Sequence, residues 1–254
     1  MTTSGNFSPD AGALASLLDA GEGPIVVLDP CGAHWEIFWN TPRWSRLWQA
    51  WRLAPGHMQE GDVWDVVGAL KGVNAAAGTA VLAAALFPAS EHSDLTRELM
   101  VCLLSFAEET GHISDLPVLA GKLWADDLWA AIAQWSRKYP FNPSLQKARA
   151  LLTRDGASDA AQAIRDRMVT YHHPHVAETF ACASGLSLSL SNLRLRPGQI
   201  IFLTPDIRCM ESAELTGVYE FLVTALRGLG DLHGVKFTLI EPVVTMTRDP
   251  ADEI

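Results

Sequence analysis

The run Gln199-Ile200-Ile201-Phe202-Leu203-Thr204 restricts the fold more than any other stretch of the chain. It is too short for a buried helix, which needs about ten residues or more. Turn chemistry encloses it, with Arg196-Pro197-Gly198 before and Pro205-Asp206 after. A short apolar segment between such signals reads as a central strand of an α/β sheet. Two more runs have the same form. One is Gly23-Pro24-Ile25-Val26-Val27-Leu28-Asp29-Pro30, and the other is Gly234-Val235-Lys236-Phe237-Thr238-Leu239-Ile240. Together they predict a small parallel sheet.

The remainder reads as helical. Pro9 to Ala20 places Leu14, Leu17 and Leu18 on one face, after a loose arm over residues 1 to 8. Asp62 to Leu86 has helical patterning weakened by Gly68, Gly72 and Gly78. Ser93-Asp94 is a cap signal for a helix that Gly111 ends, and Ser114-Asp115-Leu116-Pro117 opens another. Trp129, Ile132 and Trp135 mark a further helix over Asp126 to Tyr139, and Ser144 to Leu152 is a short one. Ala157 to Met168 begins the return to the sheet. Glu211 to Leu229 is the last long helix, stopped by Gly228 and Gly230. The expected architecture is an α/β sheet domain over residues 1–56 and 157–254. An all-α insertion of residues 57–156 lies between its first and second strands.

Composition narrows the function. With 254 residues, 48% of them apolar, the chain can bury a substantial core. A formal net charge of −10 argues against a protein built to grip a nucleic-acid backbone, although one local basic patch is compatible with it. Cys31, Cys102, Cys182 and Cys209 form no CxxC pair, so neither a metal-ligand spacing nor a disulfide framework is present. A reduced, cytoplasmic setting is expected. The N-terminus lacks the basic and apolar regions of a signal peptide. No apolar run reaches the ~18 residues of a membrane span.

Several residues are candidates for chemistry. Asp29 stands at the C-terminal edge of a strand, where α/β sheets contact ligands; its alternative is a turn role beside Pro30 and Gly32. Trp44, Trp48 and Trp51 follow an i, i+4, i+7 spacing after Thr41-Pro42, interleaved and flanked by Arg43, Arg46 and Arg52. That pattern predicts an amphipathic helix burying its rings against the sheet or a partner, and its alternative is base stacking. His172, His173 and His175 surround Pro174 and are the candidate metal ligands, with Glu178 nearby. Adjacency across a proline makes it hard for three imidazoles to converge on one ion. No G-x-x-x-x-G-K-[ST] phosphate loop and no GxGxxG stretch exists. Glu241 is a single carboxylate at the end of the third strand. Ser184-Gly185 and Ser187 lack the GxSxG elbow.

Several strings carry a family resemblance. Val26-Val27-Leu28-Asp29-Pro30-Cys31-Gly32-Ala33 resembles the segment that follows the nucleotide loop in the ATPase domain of type IV secretion and conjugation coupling proteins. Cys31 and Ala33 stand where that family has Lys and Glu. Ser93-Asp94 with Arg97 to Leu104 is similar to a helix of the family's all-α insertion. His173 to Ala177, Ser184 to Leu193 and Arg196 to Pro205 are similar to its return to the sheet. The resemblance covers residues 23 to 243 and implies a reduced P-loop-NTPase-like sheet from which the nucleotide loop and the Asp-Glu pair are missing.

It therefore implies no ATP-site residue except Asp29, no cofactor and no ATPase activity. The expected role is a non-catalytic component that binds a secretion substrate, an adaptor or a coupling ATPase. Trp44, Trp48, Trp51, Arg43 and Arg46 are the expected partner-binding residues, and the expected location is cytoplasmic, peripheral at the inner membrane through a secretion complex. An ATPase subunit completing its site with a neighbouring chain, or a single-stranded DNA-binding accessory protein, are the alternatives.

Overall fold

The computed structural model describes residues 6–8, 11–21, 24–29, 32–55, 61–70, 74–181, 198–204, 212–232, 234, 236–240 and 243–245. The chain begins with β1 (Asn6–Ser8), α1 (Ala11–Ala20), β2 (Ile25–Leu28), α2 (Ala33–Trp39), α3 (Pro42–Leu47) and β3 (Gln49–Leu53). Seven helices follow: α4 (Ala75–Leu86), α5 (Asp94–Thr110), α6 (Leu116–Ala125), α7 (Leu128–Lys138), α8 (Pro143–Leu151), α9 (Ala157–His172) and α10 (Pro174–Phe180). The chain then returns through β4 (Gln199–Leu203), α11 (Ser212–Leu232), β5 (Thr238–Ile240) and β6 (Val243–Thr245).

The architecture is mixed α/β, mostly helical, around one four-stranded parallel sheet of order β3-β4-β2-β5. The three apolar runs are the strands β2, β4 and β5. Ile25 pairs with Ile200 and Thr238, and Val27 with Phe202 and Ile240. Successive side chains alternate between faces, so this register sorts them into two cores. Val26, Leu53, Ile201 and Leu203 join the core formed with the helical insertion and α11. Ile25, Val27, Ile200, Phe202 and Ile240 join Leu14 and Leu18 of α1, Phe38 of α2 and Trp48. The sheet is covered on both sides, as continuous apolar strands require.

Local chemistry starts four of the insertion helices. Ser93 Oγ accepts the Thr96 amide at 3.2 Å, and Asp115 accepts Val118 at 2.8 Å. Asp127 accepts Ala130 at 2.7 Å and Asn142 accepts Leu145 at 2.9 Å. These caps open α5, α6, α7 and α8, satisfying amides that have no partner in the first turn. Gly111 closes α5 at φ 60°, the left-handed conformation that suits glycine.

Four expectations change. Gln49–Leu53 is not a continuation of the tryptophan helix but a fourth strand, pairing residue for residue with Gln199–Leu203. The insertion therefore follows the second parallel strand rather than the first. Beyond it, α9 packs on α5 and α6, and α10 packs on α9. Gly228 and Gly230 do not stop α11, which continues to Leu232. Gly228 faces α4: a Cβ there would meet Val81 Cγ1 at 2.6 Å, so the glycine admits the neighbouring helix. Last, Asn6–Ser8 is not a loose arm but pairs antiparallel with Val243–Thr245.

Candidate functional site

The C-terminal edge of a parallel sheet is where neighbouring strands send their connections to opposite faces, opening a crevice for ligands. Here β2 leads to α2 and α3 on one face, while β4 leads to α11 on the other. Their ends, Leu28-Asp29 and Leu203-Thr204, are joined by the Asp29 amide donating to the Leu203 carbonyl at 2.9 Å. The Thr204 amide donates to the Leu53 carbonyl at 2.9 Å, which adds the end of β3.

Asp29 is buried at this edge. Its carboxylate accepts the amides of His34 at 3.2 Å and Trp35 at 2.9 Å. Helix α2 starts behind Gly32, which has no side chain to cap it, so Asp29 supplies the cap from the strand end. His34 Nδ1 lies 3.4 Å from the same carboxylate, and its Nε2 is buried without a hydrogen-bond partner among the described residues. The turn alternative for Asp29 thus acquires a definite form: it anchors a helix to the sheet.

Arg52 occupies the neighbouring position on β3. Its Nε donates to Thr204 Oγ1 at 2.8 Å, and its guanidinium carbon sits 5.5 Å over the Trp35 ring. A Cβ on Gly32 would come within 3.8 Å of the guanidinium, so Gly32 lies close to this cation. The Arg52 amide donates to Asp62 Oδ2 at 2.7 Å, and the Asp62 amide returns a bond to the Arg52 carbonyl at 2.6 Å. Burial raises the Asp62 carboxyl above its ordinary pKa, against the stabilising Arg52 amide. Among the described residues, Asp29, Arg52 and Asp62 of this edge each have intramolecular partners. These bonds tie α2 and the 61–70 segment to the strand ends.

The tryptophan-rich segment divides in two. Trp48 is buried, with its Nε1 donating to the Leu18 carbonyl at 3.2 Å, and Trp51 lies on β3, partly buried against the core shared with the insertion. They do not share a helical face with Trp44, because α3 ends at Leu47. Trp44 is half-buried and donates to Asp19 at 3.1 Å. Arg43 is exposed, 3.6 Å from Asp19, and Arg46 is exposed. The exposed apolar groups are ones the spacing did not single out: Trp39 at 60% and Leu47 at 68%. Trp39 stacks on Trp35 with centroids 5.5 Å apart. Solvent-facing Trp and Leu inside an otherwise amphipathic run were the available signal, hidden by the i, i+4, i+7 pattern.

The histidines fall at the α9–α10 junction, where Pro174 starts a new helix. His172 stacks against Trp124 at 6.3 Å, while His173 and His175 tilt against each other at 5.2 Å. Among the described residues no group of three His, Cys, Asp or Glu is placed to hold a metal ion. Trp129, grouped by spacing with Ile132 and Trp135, points outward while those two are buried. Cys31, Cys182, Cys209, Ser184, Gly185, Ser187 and Glu241 lie outside the described residues. Among the described residues no helix is long and apolar enough to cross a membrane.

The fold and the edge define a small parallel α/β sheet carrying a large helical insertion. No protein-family model, no curated protein and no solved structure matches the chain.

Proposed function

We propose that this chain is a non-catalytic, protein-binding component similar to type IV secretion and conjugation coupling proteins, docking a partner through the outer surface of α2 and α3. The observation that carries the docking surface is the exposure of Trp39 and Leu47 next to Arg43 and Arg46. Exposed Trp and Arg are the residue types that anchor protein interfaces, and large apolar groups left in water are stabilised by a partner. The order of elements, a parallel sheet interrupted by a long helical insertion, supports the reduced P-loop-like framework. Engagement of Asp29 by the α2 amides supports a structural rather than a nucleotide-binding role for that carboxylate.

Two measurements test the proposal. Calorimetry with Mg-ATP, on the chain alone and with a coupling ATPase, should give no saturable heat; micromolar binding would overturn the non-catalytic half. A photoreactive amino acid replacing Trp39 should cross-link a protein partner in cells, whereas the same group at exposed Thr224 should not. Equal labelling from both positions would remove α2–α3 as the contact surface.

A further inference from the structure

The hairpin of α7 and α8 is charged in one sense only. From Leu128 to Arg154 the chain carries Arg137, Lys138, Lys147, Arg149 and Arg154 and not one Asp or Glu, within a chain of net charge −10. All five cations are exposed. Arg154 is 3.6 Å from Glu98 of α5, but Arg137, Lys138, Lys147 and Arg149 form no ion pair with the described residues. Lys138 lies 5.4 Å over the Tyr139 ring instead. At the tip, between the two helices, Phe141 is 89% exposed.

The tip is nonetheless held in place. Glu109 of α5 accepts Asn142 Nδ2 at 2.7 Å and Ser144 Oγ at 2.9 Å. Asn142 also caps α8. Phe141 is therefore presented on a fixed turn, with its ring in water and cations on the helices to either side.

We propose that this hairpin is a docking surface for a short acidic protein segment bearing an apolar residue, which Phe141 engages. It is a different surface from α2–α3, so it stands or falls independently of the function proposed above. Charge complementarity supplies the attraction and Phe141 the apolar contact. The extent of the basic surface selects the class of partner. Its cations lie in the last turn of α7 and along α8, and α8, at 9 residues, is about 14 Å long, the reach of roughly four to five extended residues. Carboxylates border it, with Asp126 and Asp127 before α7, Asp155 after Arg154, and Glu98 and Glu109 on α5. A short acidic segment ends within the basic zone. A nucleic-acid strand runs beyond it into those carboxylates.

The test is fluorescence anisotropy on the full chain. The probes are labelled five-residue peptides, Glu-Glu-Leu-Glu-Glu or Lys-Lys-Leu-Lys-Lys, and a twelve-nucleotide oligothymidine. The acidic peptide should bind at about 50 mM salt and weaken at about 300 mM, where screening shortens the reach of charge. The basic peptide should not bind. The double variant R137E/K147E should lose about tenfold or more in affinity for the acidic peptide. F141S should also bind more weakly while keeping the salt dependence. Far-UV circular dichroism confirms that these exposed variants fold. Absence of acidic-peptide binding at low salt overturns the proposal, as does undiminished binding by R137E/K147E. Tighter binding of oligothymidine than of the acidic peptide assigns the hairpin to nucleic acid and equally overturns it.

Discussion

The Asp29 carboxylate holds the Trp35 amide at 2.9 Å, so the acid that ends a strand is also the cap of the helix that follows. Asp29→Ala should destabilise the chain by about 2 kcal/mol, since it removes a cap and strands buried donors. Asp29→Asn keeps one acceptor and should lose about half as much. Urea unfolding monitored by tryptophan fluorescence distinguishes the two variants. Equal stability of Asp29→Ala and the parent chain would sink the capping role.

The contact between Gly228 and Val81 sets the spacing of α11 and α4. Gly228→Ala gains helix propensity but forces a Cβ to 2.6 Å from Val81 Cγ1. Overpacking should prevail, with a net loss of about 1 to 3 kcal/mol. Thr224→Ala, on the exposed side of the same helix, should change stability by no more than about 0.5 kcal/mol. Thermal unfolding of both variants is the check, and a stabilised Gly228→Ala would show that α4 yields freely.

Asp62 links stability to pH. Its folded pKa is raised above the ordinary 3.8, chiefly by burial. The folded state thus holds the proton more tightly than the unfolded chain. This contribution to stability is fully present below pH 3.8 and is lost as pH rises through the raised folded value. Asp62→Asn removes the titration while keeping an acceptor for the Arg52 amide. The stability of the parent relative to Asp62→Asn should therefore rise as pH falls from 7 towards 4. A difference that stays flat or moves the other way refutes the assignment.

Cys102 is buried on α5, and burial pushes its thiol up to about 11. At pH 8 roughly one thiol in a thousand is ionised, and it is shielded from solvent. Iodoacetamide should leave Cys102 unmodified in the native chain and label it fully in urea, read by mass spectrometry of the peptide containing it. Rapid native labelling would mean that α5 opens.

Local signals carried much of this fold. The strands over Ile25–Leu28 and Gln199–Leu203 stand out because they are apolar on both faces and enclosed by turns. The caps at Ser93 and Asp115 are legible because side chain and amide lie three residues apart. Strand β3 was not legible. Trp44, Trp48 and Trp51 satisfy a helical period, yet Trp51 pairs with Ile201 and Arg52 with Phe202 across the sheet. That pairing is long-range, and a six-residue helix has too little hydrogen bonding of its own to resist it. Arg52 was visible only as a cation among tryptophans. Its partner Thr204 is 152 positions away, beyond the reach of any periodicity. The glycine of α11 misled for a related reason, since its purpose is the approach of another helix.

The placement of β4 has a consequence for synthesis. Strands β2 and β3 leave the ribosome early, but they do not touch; β4 stands between them, about 150 residues later. Until it emerges, Ile25, Val26 and Val27 have no strand to pair with, while the insertion helices can already assemble through local contacts. The N-terminal segment must wait, apolar and open, for one late strand to zip both sides of the sheet at once.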